Sequence, residues 1–565
     1  MTWLDPDHTA TYFHFLWRPK VDISRRQALA AIGGLGASLG LSGCSIPITP
    51  FCPTDPTISD PTTPLTIDVH AHVFNGSDLQ IEGFLTRILA RDDPDTYRTA
   101  AELLAEIGRN FAPTAAQEIA ELQRIDAVLR TCIANGVMQA LVDERQAGYD
   151  RARNQLQSAL RSIRTRKRRL ARNSLEQLID NLPESYSIYK RSGPRAYFSA
   201  KSVTARGALN FLIRNFQFRY VNVYEYLLEY SRGRTRKVDM LVTHLVDYDW
   251  PIGDGASTPT SLKDQVTVME RISQVTGGRV LCFAPFDPFK EIASGSSLSF
   301  VVDAIMNHGF VGVKIYPPMG FAPLGNAAFP DSFWDNSALP ANFPRNQLGP
   351  RLDQALMALY SWCQVNGVPI MAHTNASNGP APKFDQLTYA KYWAQVSRAF
   401  PGLRLDFGHF GVTSLASTTQ PDALADLMLN GEYLYADSGY FSEVLSDQAG
   451  LEAYLTARMQ RTSNRGPAAV AQRLMYGTDW EMVVLEGSMS SHYLASFEAM
   501  YSRLDRNTSL GADGTLSHRF FGINAAKFLG LGIGQPNRTR LDRYYSLSSK
   551  PAWMAKVDSL PAVTT

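Results

Sequence analysis

Leu65-Thr66-Ile67-Asp68-Val69-His70-Ala71-His72 is the stretch on which the fold of this chain turns. Residues 65–69 form a short, mostly apolar run behind Pro64, the pattern of a buried strand. Side chains two apart in a strand share one face, so His70 and His72 stand together at its carboxyl end. Two imidazoles spaced this way can hold one metal ion. A lone H-x-H pair is weak, because it arises easily by chance. Its weight depends on what other strand ends carry.

From residue 238 onward, short apolar runs alternate with stretches of helical period. Strands are predicted at 238–245, 279–284, 310–315, 369–373, 403–409, 433–437 and 474–476. Helices are predicted at 262–274, 300–307, 351–366, 391–400, 422–429 and 451–459. With 65–69 the strands number eight, the count of a closed α/β barrel of the (β/α)8 or TIM type. A doubly wound sheet would need a Gly-rich first turn. No G-x-G-x-x-G occurs, and Gly33-Gly34-Leu35-Gly36 falls in the N-terminal segment.

In a barrel, residues at the carboxyl ends of different strands converge on one face. Beyond His70 and His72, His244 lies inside the second predicted strand and Asp287 follows the third. Lys314 lies on the fourth, His373 ends the fifth, His409 the sixth and Asp437 the seventh, and Asp479 follows the eighth. His244 is expected in the core or behind the ligands. Residues 316–350, rich in Pro, Gly, Asn and Phe, form a long loop at the mouth. Tyr316, Phe321 and Trp480 offer aromatic surface for a substrate pocket or for packing the loops, and Asp437 is either a substrate contact or a turn residue.

Between the first and second strands lies an excursion of about 75–236 without comparable strand patterns. Helical period is read at 101–109, 115–135, 151–182 (stopped by Pro183) and 208–230. This is a helical insertion, expected as a cap over the site. Residues 161–172 hold seven Lys or Arg, read as a solvated helix face, with anionic lipid as the alternative partner. Nucleic acid is not expected: the formal net charge is +2, and the basic run lacks interleaved aromatics.

The N-terminus carries a different message. Arg25 and Arg26 precede the uncharged run 28–41, which ends in Leu41-Ser42-Gly43-Cys44. A cationic segment, a short apolar stretch and small residues are the order of an export signal, too short to span a bilayer. The arginine pair resembles a twin-arginine signal, and the last four residues resemble a lipobox. Residues 1–44 are therefore expected as a signal with a lipid anchor at Cys44. The Pro-rich 45–64 is the linker, 65–535 the catalytic domain and 536–565 an extension. The implied location is exported, periplasmic or lipid-anchored to a bacterial cell-envelope membrane. Of the five cysteines none forms C-x-x-C, and Cys282 and Cys363 read as buried small apolar residues.

Asp68 to His72, Lys314, His373, His409 and Asp479 together resemble the amidohydrolase superfamily. Gly312-Val313-Lys314-Ile315-Tyr316-Pro317 and Gly522-Ile523-Asn524-Ala525-Ala526-Lys527-Phe528-Leu529-Gly530 resemble its amidohydrolase-related branch, which includes aminocarboxymuconate semialdehyde decarboxylase-like enzymes. The resemblance implies metal ligation by His70, His72, His373 and Asp479. It implies that Asp479 also accepts a proton and that His409 shuttles one beside the ion. Lys314 and His409 are alternative ligands of a second ion, a less favoured arrangement in which Lys314 is carbamylated. Asp68 is either an acceptor for a histidine N–H or a cap or turn residue.

Three imidazoles and one carboxylate suit one divalent ion, zinc first, with manganese or iron also compatible. Zinc lowers the pKa of water from about 16 to about 7, roughly 12 kcal/mol toward hydroxide. The leading expectation is a hydrolase attacking an amide, ester or lactone-type carbonyl of a small molecule with metal-activated water. Non-oxidative decarboxylation is the alternative enzyme class on the same residues. A non-catalytic anchored binding protein is the third reading, disfavoured because a scaffold gains little from ligands on several strands. Self-association into a homo-oligomer is left open.

Overall fold

The computed structural model describes residues 60–89, 112–130, 214–230, 235–462 and 469–560, apart from single positions and the short segments 377–378, 508–509, 511–514 and 546–549, together with a few isolated residues elsewhere. Eight parallel strands follow one another around a single sheet in sequence order. They are β1 (Ile67–Ala71), β2 (Met240–His244), β3 (Val280–Pro285), β4 (Gly312–Ile315), β5 (Ile370–His373), β6 (Leu405–Gly408), β7 (Leu434–Asp437) and β8 (Leu474–Met475). The last strand returns to the first. Val69 N–H donates to Tyr476 O at 3.0 Å and Asp479 N–H to His70 O at 2.7 Å, with a parallel bridge between Ala71 and Trp480. This is the predicted barrel, and each strand lies within two residues of its expected place.

Helices connect the strands. Among the described residues they include α1 (Ala115–Arg130) and α2 (Arg219–Glu229) in the insertion, then α3 (Leu262–Val275), α4 (Ser297–Asn307), α5 (Leu348–Asn366), α6 (Ala390–Ala399), α7 (Thr419–Asn430), α8 (Gln448–Met459) and α9 (Tyr493–Leu504). α4, α5, α7 and α8 each begin three residues before the predicted start, and α3 begins where predicted. Ser261 Oγ accepts from Asp264 N–H ahead of α3, and Asp447 accepts from Gly450 N–H ahead of α8.

All described elements between β1 and β2 are helical, as expected of the insertion. The helices predicted at 101–109 and 151–182, the basic run 161–172, the signal 1–44 and most of the linker lie outside the described residues. No helix among the described residues is long and apolar enough to cross a membrane.

The barrel interior is apolar at its lower end. Met240, Val242, Leu281, Phe283, Met371, Tyr435 and Met475 form a cluster there. Two C-terminal helices, α10 (Pro536–Tyr544) and α11 (Trp553–Asp558), join the same cluster through Leu541, Tyr545, Trp553, Met554 and Val557. The polar side chains gather at the opposite, carboxyl end.

Strand β1 departs from simple alternation. Its register against β2 slips between Asp68, opposite Leu241, and Ala71, opposite Thr243. One extra residue is accommodated as a bulge. Ile67 pairs with inward Met240, while Asp68 pairs with outward Leu241. Beyond the bulge His70 and His72 face the interior, so apolar and imidazole side chains both point inward from one strand.

Candidate metal centre

Three ligand-type atoms converge at the carboxyl end of the barrel. His70 Nε2 and His72 Nε2 each stand 3.4 Å from Asp479 Oδ1. All three side chains are at least nine-tenths buried.

The protons on the two rings are placed by their other nitrogens. His70 Nδ1–H donates to the Asp437 carboxylate at 2.9 and 3.0 Å, and His72 Nδ1–H donates to His244 O at 3.0 Å. Burial, above all, drives both imidazoles toward the neutral form, His72 down to about 3 and His70 well below its ordinary value. The Lys314 charge adds to the effect in both. Each Nε2 is therefore a bare lone pair aimed at a carboxylate oxygen. His70 Nε2 is buried with no hydrogen-bond partner.

Three acceptors facing one another repel unless a cation or a proton lies among them. Ligands about 2.0–2.1 Å from a tetrahedral zinc stand about 3.3 Å apart, close to the spacing here. The donor set thus fits a divalent ion. Burial also pushes the Asp479 carboxyl well above its ordinary range, with Lys314 opposing and Asp437 reinforcing the shift. A bound cation would reverse that tendency.

Other expected residues take definite places. Asp437 faces the His70 ring and the backbone of the β6 and β7 turns. Besides His70, it accepts from the backbone N–H of His409 at 3.0 Å and of Gly439 at 2.7 Å. His409 Nδ1–H donates to Gly439 O at 2.9 Å, leaving its Nε2 unprotonated, 3.1 Å from His373 Nδ1. Burial lowers His409 to about 4. His70, His409 and Asp437 form a second group of potential ligand atoms within 4.8 Å of one another. His373 belongs to neither group. It stacks on Tyr316 with ring centroids 4.3 Å apart. His409 and Asp479 both hold left-handed backbone, φ 62° and 55°, strained for residues with a Cβ and a recurrent mark of functional sites.

Lys314 points into the barrel, where its Nζ donates to Met371 Sδ at 2.7 Å. Burial lowers it to about 8 against the charges of Asp479, Asp437 and Asp406. Asp287 caps the short helix Pro288–Ser294 by accepting from Phe289 N–H. His244 supports the site from behind. Its Nε2–H donates to Val69 O at 2.7 Å, at the bulge, while its own carbonyl orients His72.

Asp68 does not touch an imidazole ring. Its carboxylate faces outward and accepts from the backbone N–H of His70 at 3.2 Å, so it fastens the bulge. Of the two roles expected for Phe321 and Trp480, pocket lining or loop packing, the structure shows packing. Phe321 is 2% exposed against Phe289, and Trp480 is wholly buried between Tyr226 and Arg214. Both follow strand ends closely, and such residues serve loop packing as readily as a pocket.

Sequence reasoning missed Tyr226 and Thr478, both bound to Asp68. It also missed Tyr440, whose hydroxyl donates to Glu486 at 3.0 Å. A hydroxyl in a helix or loop carries no pattern of its own. Only the neighbourhood of Thr478 to Asp479 could have flagged one of them.

A family match agrees with this architecture. Residues 302–531 match the family model of amidohydrolases, a stretch that includes Lys314, His373, His409, Asp437 and Asp479 but not the β1 histidines. No curated protein matches significantly. Among solved structures, a TIM-barrel protein from Bordetella bronchiseptica is 15% identical, covering 51% of this chain and 82% of its own, with a TM-score of 0.31. An amidohydrolase from Burkholderia multivorans with bound zinc is 12% identical, covering 52% and 83%, TM-score 0.32. The 5-carboxyvanillate decarboxylase of Sphingomonas paucimobilis is 11% identical, covering 52% and 79%, TM-score 0.31. Scores of this size say nothing about chemistry. The barrel, the converging ligand atoms and the family match over its second half support a metal-dependent enzyme on an amidohydrolase-type barrel.

Proposed function

We propose that the protein is a metal-dependent hydrolase of small molecules with an amide, ester or lactone-type carbonyl. The observation that carries this reading is Asp479, a buried carboxylate 3.4 Å from two imidazole lone pairs. It can both face a cation and accept a proton beside it. His70, His72 and Asp479 would hold one divalent ion, zinc by donor type, with His373 completing the set. When bound, such an ion supplies Lewis acidity and makes water acidic near neutral pH.

The protein's own groups handle protons and position. Asp479 takes the proton released as water attacks. His409, unprotonated at Nε2 and held through Nδ1 by Gly439 O, stands ready to carry that proton toward the leaving group. Asp437 keeps His70 in the tautomer whose Nε2 faces the ion site. Tyr316, stacked on His373, and Tyr248, edge-on to Tyr316 at 5.4 Å, make an aromatic wall suited to an apolar or aromatic acyl group. Lys314 serves as a buried counter-charge to the interior acids, consistent with one ion rather than two.

A panel of aryl esters, lactones and amides, run beside aryl carboxylates monitored for carbon dioxide, tests the reading. Hydrolysis is expected, abolished by a chelator and restored by zinc. Asp479→Asn is expected to lower kcat by about 100-fold or more. Carbon dioxide release with no hydrolysis would replace hydrolysis by decarboxylation.

A further inference from the structure

Among the described residues, one buried carboxylate hydrogen-bonds both the insertion and the turn that carries Asp479. Asp68 Oδ2 accepts from the Tyr226 hydroxyl of α2 at 2.6 Å and from Thr478 Oγ1 at 2.6 Å. Asp68 Oδ1 accepts from Thr478 N–H at 3.0 Å and His70 N–H at 3.2 Å. One buried side chain thus ties the bulge that aims His70 to the residue preceding Asp479. Thr478 Oγ1 also accepts from Trp480 N–H at 3.0 Å, closing the turn around Asp479. The Tyr226 ring packs edge-on against Trp480 with centroids 5.5 Å apart. Among the described residues, the hydrogen bonds to the Asp68 carboxylate come from the barrel except that of Tyr226.

We propose that Tyr226 is a positioning residue, through which inserted helix α2 holds Asp68 and so sets the spacing of His70 and Asp479. The inference rests on the metal-site reading above and adds to it what the insertion does: α2 is a brace of the ligand geometry. Removing the hydroxyl leaves Asp68 one donor short in a dry setting. The carboxylate must then shift toward its remaining donors or draw in water, and both move the bulge or the Thr478 turn. Binding couplings are reciprocal, so an ion that orders His70 and Asp479 must in turn steady α2.

The test compares the full chain with Tyr226→Phe and with Tyr220→Phe, a control on the same helix whose hydroxyl donates to Glu121 instead. Zinc affinity is measured by chelator competition, and ligand geometry by the visible absorption of the cobalt-substituted protein. Tyr226→Phe is expected to bind zinc about tenfold more weakly or worse, with an altered cobalt spectrum and an unfolding midpoint near wild type without metal. Tyr220→Phe is expected to match wild type in affinity and spectrum. Hydrogen exchange of the wild-type protein with and without zinc needs no variant to fold, and zinc is expected to slow exchange across Arg219–Glu229 more than across Gln448–Met459. Wild-type affinity and spectrum in Tyr226→Phe, or equal protection of the two helices, would overturn the inference and leave the metal site standing. A wild-type protein that binds no zinc would overturn both.

Discussion

A carboxylate oxygen 3.4 Å from two histidine nitrogens that have no proton to offer it is unstable alone. Such an arrangement calls for a cation or a proton among the three atoms and for partners that lock the rings. Asp437 is the most exacting of these, because it alone fixes the His70 tautomer. Asp437→Asn is expected to weaken zinc binding about 10–100-fold, measured by chelator competition. Asp437 was legible as an acid at a strand end, but its role was not, since His70 lies 367 residues away in the chain. His70, His72 and Asp479 were legible because their residue types and strand-end positions carry the chemistry.

Glu481 supplies a pH test. Burial, its largest influence, raises this carboxyl from 4.5 to about 8, against the nearby Arg214 and Arg219 charges. In the unfolded chain it loses its proton near 4.5. Stability from this group is therefore complete below that pH and falls as pH rises toward 8. Glu481→Gln has no such loss. Its melting temperature relative to wild type is expected to climb between pH 5 and 8, in thermal unfolding of the metal-free proteins. A difference that shrinks over that range would contradict the assignment.

At the scale of elements, the turns after β7 and β8 decide whether ligands can converge. A Cβ on Gly439 would lie 2.5 Å from His70 Nδ1 and 2.9 Å from Asp437 Oδ1, so no side chain fits there. Gly439→Ala is expected to force the His70–Asp437 pair apart and to reduce bound zinc by at least about tenfold, read as metal per chain after dialysis. The eight strands were legible because each is a short apolar run between helical stretches. The β1 bulge was not. Strict alternation puts Asp68 on the same face as His70, and only the register against β2 shows that it faces out toward α2.

Across the whole molecule, function and stability sit at opposite ends of the barrel, the general habit of this architecture. The end that carries the candidate metal centre is polar and strained, whereas α10 and α11 close the other end on the apolar interior. Trp553 is wholly buried there, and its indole N–H donates to Gly278 O at 2.8 Å. Trp553→Ala is expected to cost about 3–5 kcal/mol in urea unfolding while leaving zinc affinity unchanged. A loss of metal binding in that variant would show that the two ends are coupled. The barrel as a whole was legible from the count and alternation of elements, while the seating of α2 on the β8–β1 seam was not, because that contact joins residues far apart in the chain.

The claim beneath all of this is that His70, His72 and Asp479 hold an ion. Elemental analysis of the purified protein, with His70→Ala beside it, tests it most directly. About one zinc, manganese or iron per wild-type chain and far less in the variant is the expected result. No metal in the wild type, even after reconstitution, would contradict it.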